Sequence, residues 1–200
     1  MRGEMMPLPV GILALQGDVE KHRQALVRGG RETFAVRRPA ELVQVSSLVI
    51  PGGESTTLSR LIDRSDLRQP LLDFAAAGKP ILGTCAGLIM LSRGLVNERR
   101  PDWHGVKPLG LLDVTVERNG FGRQIDSFTE VVNLVSGPNG DDPCNAVYIR
   151  APRIVEVGPE VEVICRRPDG EVVGVRQGAI IGLTFHPELG DDGCFHRLLG

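Results

Sequence analysis

Cys85 stands between two glycines in Leu82-Gly83-Thr84-Cys85-Ala86-Gly87, where a short apolar run gives way to a helical one. The pattern is G-x-C-x-G. In the serine form of this elbow the glycines relieve crowding at a strained strand-to-helix turn, so the nucleophile projects above the sheet. A cysteine placed there lies at a helix N-terminus, where unpaired amide protons and the helix dipole favour the thiolate. The amide of Ala86 becomes a natural oxyanion donor. A buried structural cysteine in a glycine-rich turn is the competing reading of the same residues.

A thiolate that releases an amine needs a proton carrier. Of four histidines only His186 ends an apolar strand, Ile180-Ile181-Gly182-Leu183-Thr184-Phe185-His186, and Pro187-Glu188 come directly after it. Side chains at i and i+2 of extended backbone point the same way, so Glu188 can orient the His186 ring and stabilise its imidazolium. That completes a nucleophile, base and carboxylate. A histidine beside a solvated acid is the bland reading of His-Pro-Glu alone; the elbow cysteine tips the balance. A third segment, Leu48-Val49-Ile50-Pro51-Gly52-Gly53-Glu54-Ser55-Thr56-Thr57, again runs from strand to helix through glycines, whose amides can approach an anion closely. The phosphate-loop pattern G-x-x-x-x-G-K-[ST] is not met, so an oxyanion or substrate-backbone cradle fits better, with Ser55 as the helix N-cap.

The elements that must carry these residues emerge from the apolar pattern. Strand-length runs at Val10 to Leu15, Thr33 to Val36, Leu48 to Ile50 and Pro80 to Gly83 are each closed by glycine or proline. Between them, Asp18 can cap a helix with Val19, His22, Ala25 and Leu26 on one side, ended by Gly29-Gly30. Pro39 suits a short helix, Leu67 to Ala75 a longer one, and Leu88 to Arg93 the helix after the elbow. This alternation predicts an α/β fold with a mostly parallel sheet flanked by helices. Gln16 would then stand at the C-terminal rim, where such sheets receive ligands and partners. From Leu112 onward, runs at Leu112 to Val116, Val147 to Ile149, Ile154 to Val157, Val161 to Cys165, Val172 to Val175 and Ile180 to Phe185 predict an antiparallel extension. The polar stretches Asn97 to Pro108 and Ser136 to Pro143 read as exposed loops.

Composition narrows the function classes. At 200 residues the chain suits one domain over 1–200. A net charge of −2 lacks the field that nonspecific nucleic-acid or anionic-membrane binding requires. The longest uncharged run, Pro80 to Ser92, is too short to span a bilayer, and Met5 to Gly17 lacks a signal-peptide flank and cleavage site. Cys85, Cys144, Cys165 and Cys194 are dispersed without zinc-like spacing, so the expectation is free thiols in a cytoplasmic protein with no metal site. Cys194 and His196 are too isolated to make one.

Pro-Gly-Gly, Gly-Thr-Cys-Ala-Gly and His-Pro-Glu in this order resemble the class I, triad-type glutamine amidotransferases. Leu15-Gln16-Gly17-Asp18-Val19, Glu54-Ser55-Thr56-Thr57, Arg118-Asn119-Gly120-Phe121-Gly122-Arg123-Gln124 with Asp126-Ser127-Phe128, and Ile149-Arg150-Ala151-Pro152 narrow the likeness to the glutaminase-subunit family of two-component pyridoxal 5′-phosphate (vitamin B6) synthases. The likeness runs from about Val10 to about Leu189, with longer loops at 97–108 and 136–143. It implies a flavodoxin-like fold and hydrolysis of L-glutamine to L-glutamate and ammonia, without a cofactor. The catalytic residues would be Cys85, His186 and Glu188, through a γ-glutamyl thioester. Gly53 and Ala86 would form the oxyanion hole, and Gly53, Glu54, Ser55, Arg118, Ile149 and Arg150 would bind glutamine. An arginine is chemically suited to a free carboxylate. The implied partner is a (β/α)8-barrel synthase, in a hetero-oligomer of twelve plus twelve subunits, docking near Gln16 and receiving ammonia through a tunnel. Family members are poor glutaminases alone, so low activity in isolation is expected. Rival readings are a glutaminase serving another synthase, a cysteine hydrolase on the same elbow, and a noncatalytic scaffold.

Overall fold

A computed structural model describes residues 7–96, 105–121, 127–137, 140–190 and 194–199. Strands β1 (Val10–Leu13), β2 (Thr33–Val36), β3 (Ser47–Ile50) and β4 (Ile81–Thr84) alternate with helices α1 (Val19–Arg28), α2 (Ser55–Arg64) and α3 (Arg68–Ala76). After β4 come α4 (Ala86–Leu91) and the strands β5 (Ser92–Val96), β6 (Leu112–Glu117), β7 (Phe128–Gly137), β8 (Gly140–Tyr148), β9 (Arg153–Val157), β10 (Glu162–Arg166), β11 (Val172–Gln177) and β12 (Ile180–Leu183). Short 3-10 turns occupy Pro39–Gln44, Pro187–Leu189 and Phe195–Leu199.

The large sheet has the order β2-β1-β3-β4-β12-β11-β10-β7-β8, and a smaller one the order β5-β6-β9. Strands β2, β1, β3, β4 and β12 pair in parallel, whereas β11, β10, β7 and β8 continue antiparallel. The expected parallel sheet flanked by helices with an antiparallel extension is therefore present, as a mixed sheet in which the extension is as large as the parallel half, and that half has the flavodoxin-like order. Side chains alternate between its faces. Leu48 and Ile50 of β3, with Ile81 of β4, join one apolar cluster with α2, α3, α4 and the small sheet. Val49, Leu82, Ile181 and Leu183 join the other, with Leu26 of α1, Tyr148, Phe185 and Phe195. Leu58 and Ile62 of α2 are fully buried, each a contribution of about 1.5–3 kcal/mol over an exposed position. Helix α4 is buried at all six residues, as an all-round apolar helix must be.

Several boundaries differ from the sequence expectation. The helix after the elbow covers Ala86–Leu91 rather than Leu88 to Arg93. The amides of Leu109 and Leu111 take the carbonyls of Met90 and Leu91, and the Ser92 hydroxyl takes that of Ile89, so the chain leaves as β5. The expected loop Ser136 to Pro143 is instead the end of a β7–β8 hairpin, with Leu134 opposite Asp142 and Asn133 opposite Pro143. Residues 138–139 lie outside the described residues. Because β8 is the sheet edge, a proline there removes no ladder bond that a neighbour needs. The stretch Asn97 to Pro108 falls outside the described residues over 97–104; within its remainder Val106 is buried. Finally, Cys144 of β8 and Cys194 are joined by a disulfide with a Cα–Cα distance of 6.2 Å, so free thiols are found only at Cys85 and Cys165. Their separation of 50 residues carries no pairing signal; the bond forms because Phe195 packs against Phe185 and brings the C-terminal turn to β8.

Candidate active site

The parallel strands end side by side, so the loops that leave them share one rim. Ile50 of β3 pairs with Gly83 of β4, and Leu183 of β12 pairs with Thr84. One step beyond, the Cys85 amide donates to the Leu183 carbonyl, at 2.9 Å, and the His186 amide donates to the Val147 carbonyl. Cys85 has φ 50° and ψ −104°, the left-handed strain expected of an elbow nucleophile. The flanking glycines are required by space: a Cβ at Gly83 would meet Leu91 and the Gly87 backbone, and one at Gly87 would collide with the Ile50 carbonyl. A Cβ at Gly52 would strike the His186 ring. The three loops therefore pack backbone against side chain.

Cys85, His186 and Glu188 are all buried. His186 Nδ1 donates to Glu188 Oε1 at 2.7 Å, while the Cys85 thiol donates to the Ile149 carbonyl at 4.0 Å and sits beside the His186 ring at Gly52. Burial works against an imidazolium here, but interactions with Cys85 and Glu188 outweigh it and hold the His186 pKa up at about 10. A base and its orienting carboxylate thus stand against the thiol, which is the arrangement nucleophilic acyl transfer needs.

Cys85 and His186 open onto a cavity of about 210 Å³ that Asp18, Gly53, Glu54, Ser55, Ile89, Arg118, Asn119, Ile149 and Arg150 also line. Its scale is that of a single amino acid, below that of drug-sized pockets. Asp18, the Gly53–Ser55 loop, Cys85 and His186 follow β1, β3, β4 and β12, so the cavity sits at the carboxyl ends of the parallel strands, where open α/β sheets bind ligands. The cavity unites all the glutamine-contact residues implied by the sequence, and Ala86 succeeds Cys85 at the start of α4. Gln16 is outside that lining, yet its Oε1 accepts the Glu54 amide proton at 3.1 Å, so it ties the end of β1 to the Gly52-Gly53 loop. Glu54, not Ser55, is the N-cap of α2, accepting from the amides of Thr56 and Thr57. Partial burial pushes its carboxyl up, but the hydrogen bonds from Thr57 and Thr56 prevail and lower it to about 2. Arg118 donates to Thr56 Oγ1 at 3.2 Å and lies 3.6 Å from Glu54 Oε1. The motif residues 122–126 lie outside the described residues.

Asp18, Ile89 and Asn119 are site residues that the sequence does not single out. Asp18 makes no side-chain cap of α1 and lines the cavity instead. Ile89 lies one helical turn after Cys85, a spacing that would have found it. Asn119 and Arg150 have φ of 55° and 47°, so strained backbone recurs around the cavity. Donor atoms of Asp18, His186 and Glu188 lie within 4.8 Å of one another, but His186 Nδ1 is already engaged by Glu188, which makes a hydrogen-bonded pair rather than a ligand set. Cys194 and His196 are held apart by different partners, Cys144 and His22.

A model of the SNO glutamine amidotransferase family matches residues 12–199. The chain belongs to the SNO glutamine amidotransferase family. Among its SNO relatives, a protein of Herpetosiphon aurantiacus named pyridoxal 5′-phosphate synthase subunit PdxT is 47% identical over 96% of this chain and 98% of its own. Its namesake in Dehalococcoides mccartyi is 44% identical over 95% and 94%. A crystal structure of a glutamine amidotransferase, 39% identical, superposes with a TM-score of 0.85 over 95% of this chain and 96% of that one. PurLQS from Thermotoga maritima, 19% identical, has a TM-score of 0.71 over 98% of both chains and shares the fold. No helix among the described residues is long and apolar enough to cross a membrane.

Proposed function

We propose that this chain is the glutaminase subunit of a pyridoxal 5′-phosphate synthase, a single unit that hydrolyses L-glutamine to L-glutamate and ammonia. The observation that carries the reading is Cys85, strained at its elbow beside a His186 that Glu188 holds as imidazolium. Cys85 Sγ attacks the side-chain amide carbon, and the amides of Ala86 and Gly53 stabilise the oxyanion. His186 gives its proton to the departing nitrogen, which leaves as ammonia, and the carbonyl remains as a γ-glutamyl thioester. Water then attacks the thioester with His186 taking its proton, Cys85 is regenerated and glutamate leaves. Arg118 and Arg150 receive the substrate carboxylate, while Glu54, Ser55 and the Ile149 backbone complete the contacts. The ionised Glu54 offers a partner for the substrate ammonium.

Ammonia passes to a barrel-shaped synthase docked on the rim near Gln16, in the large assembly the resemblance implies. Its compartment is the cytoplasm, where a reducing milieu would hold the Cys144–Cys194 bond open. Ammonia release from glutamine, measured with and without the synthase and with Cys85→Ala as control, tests the reading. Strong stimulation by the pyridoxal phosphate synthase, lost in Cys85→Ala, supports it. Stimulation only by the synthase of another pathway redirects the partner, and no ammonia from either preparation overturns the enzymatic reading.

A further inference from the structure

The proposed chemistry uses one oxygen of Glu188 and leaves the other unexplained. Oε2 is buried and makes no hydrogen bond among the described residues, an expensive position for a carboxylate oxygen. Facing it at 3.3 Å is Nε2 of His22, on the buried side of α1. The same nitrogen lies 3.2 Å from Oγ1 of Thr84, the residue that precedes Cys85. On the other edge of the ring, His22 Nδ1 is 2.9 Å from His196 Nε2, in the C-terminal turn. His22 thus touches the chain on both sides of the triad, and its own ring is fully buried.

Hydrogen bonding decides which tautomer fits. An ionised carboxylate only accepts, so a favourable contact with Oε2 requires the proton on His22 Nε2. Nδ1 must then accept, and His196 supplies its Nε2–H. The opposite tautomer would set a ring lone pair against the carboxylate. Burial, reinforced by the charges of His196 and His186, lowers the His22 pKa well below its ordinary value, so the ring donates without carrying charge. A neutral donor at this place steadies Glu188 and leaves its negative charge to His186.

We propose that His22 is a positioning residue for the triad: its Nε2 edge, anchored on Thr84 Oγ1, faces Glu188 Oε2 at 3.3 Å in the tautomer that His196 fixes, so that Oε1 stays on His186. This rests on the glutaminase reading above. Without His22, Oε2 loses the polar edge that faces it in a dry site, and Glu188 is released to turn. Turning weakens its hold on the His186 imidazolium, and with it the pairing of His186 with Cys85.

The test uses the full chain in complex with its synthase, and two readouts. Steady-state ammonia release against pH gives kcat and KM for glutamine; the pH dependence of iodoacetamide alkylation at Cys85, located by mass spectrometry, reports the thiolate–imidazolium pair without any turnover. His22→Leu is expected to lower kcat by about 10- to 100-fold, the usual cost of losing a group that orients a site residue, with KM little changed. Its alkaline limb and alkylation profile should both move by about one pH unit. His22→Gln, whose amide reaches the Nε2 position, should recover most of kcat and both profiles, while the shorter His22→Asn should not. If His22→Leu does not fold, as judged by its thermal melt, the Gln and Asn variants decide alone. Unchanged profiles in a folded His22→Leu, or equal behaviour of Gln and Asn, would overturn the proposal. Shifted alkylation profiles with no ammonia from the wild-type complex would keep the positioning role and sink the glutaminase reading instead.

Discussion

The floor and the rim of the cavity are built differently. The floor is Cys85 and His186 with Glu188 behind them: Cys85 follows β4, His186 lies just past the paired strand β12, Glu188 is in the 3-10 turn that follows, and Gly52, Gly83 and Gly87 around them tolerate no Cβ. At the rim, Glu54 and Arg118 are partly exposed, with side-chain accessibilities of 49% and 29%, and pair loosely with each other at 3.6 Å. Backbone packing sets the floor, while the rim is set by long charged side chains in contact with water, whose pairing is worth little by itself. The floor should therefore govern the rate of bond making and the rim the affinity for a zwitterion. Substitutions that leave the wrong kinetic constant unchanged would break the contrast.

The largest effect belongs to the proposed nucleophile: Cys85→Ala should lose about 10⁴-fold or more in kcat, while glutamine binding measured by calorimetry persists. Next comes Glu188→Gln, expected to cost about 10²–10⁴-fold in kcat, because the ring loses the charge that orients and stabilises it. The pH profile makes this sharper. The folded pKa of His186 is raised from 6.5 to about 10, so the stability it contributes is fully present below about pH 6.5 and is lost as pH rises through about 10. The proton that ammonia departure needs is lost over the same alkaline limb, and Glu188→Gln should move that limb downward; an unmoved limb would show that Glu188 does not hold the imidazolium. Gly52→Ala ranks third, since a methyl in the His186 ring must displace it, and a displacement near 1 Å costs about 10²-fold in kcat.

The same contrast explains which residues are legible in the sequence. Floor residues are legible because an elbow advertises itself: Gly83 and Gly87 mark where backbone crowds backbone, and His186 ends an apolar strand. Strands β1, β3 and β4, buried at every position, read as short continuous apolar runs. Strand β7 escapes detection although exposure alternates from Phe128 to Leu134, because Glu130 occupies an inward position beside Phe128, Val132 and Leu134. Arg167 makes that tolerable, pairing with Glu130 and lying over the rings of Phe121, Phe128 and Tyr148. A polar pair made across 37 residues leaves no local trace in the pattern. The contacts of His22 are hidden similarly: on α1 it fits an apolar stripe with Ala25 and Leu26, and only the fold carries it to Glu188. Asp18 and Asn119 join the cavity by turn geometry rather than periodicity.

Rim substitutions come next in size. Arg118→Ala or Arg150→Ala should raise KM for glutamine about 10- to 100-fold, the scale of one charge-assisted hydrogen bond, with kcat within a few-fold of wild type. The two are not equivalent. Arg118 is braced by Thr56 and Glu54, whereas Arg150 is held by its own left-handed backbone at φ 47°. Arg118→Lys should thus fail to restore the brace, because an ammonium lacks the guanidinium fork. A large fall in kcat from either alanine variant would move that arginine from rim to floor.

The smallest effect on activity is expected at the Cys144–Cys194 bond, which lines neither region. Closing a chain segment of 50 residues stabilises by about 2–4 kcal/mol, or roughly 4–16 °C of melting temperature for a chain of this size. Reductant or Cys144→Ser should lower the melt by that amount and leave kcat and KM unchanged at 25 °C. The bond fixes the turn that carries His196, however, and His196 bonds His22. If opening it lowers kcat without changing KM, the C-terminal turn supports the floor through that histidine pair. If neither constant moves, the packing of Phe195 on Phe185 suffices to hold the turn, and the disulfide contributes stability alone.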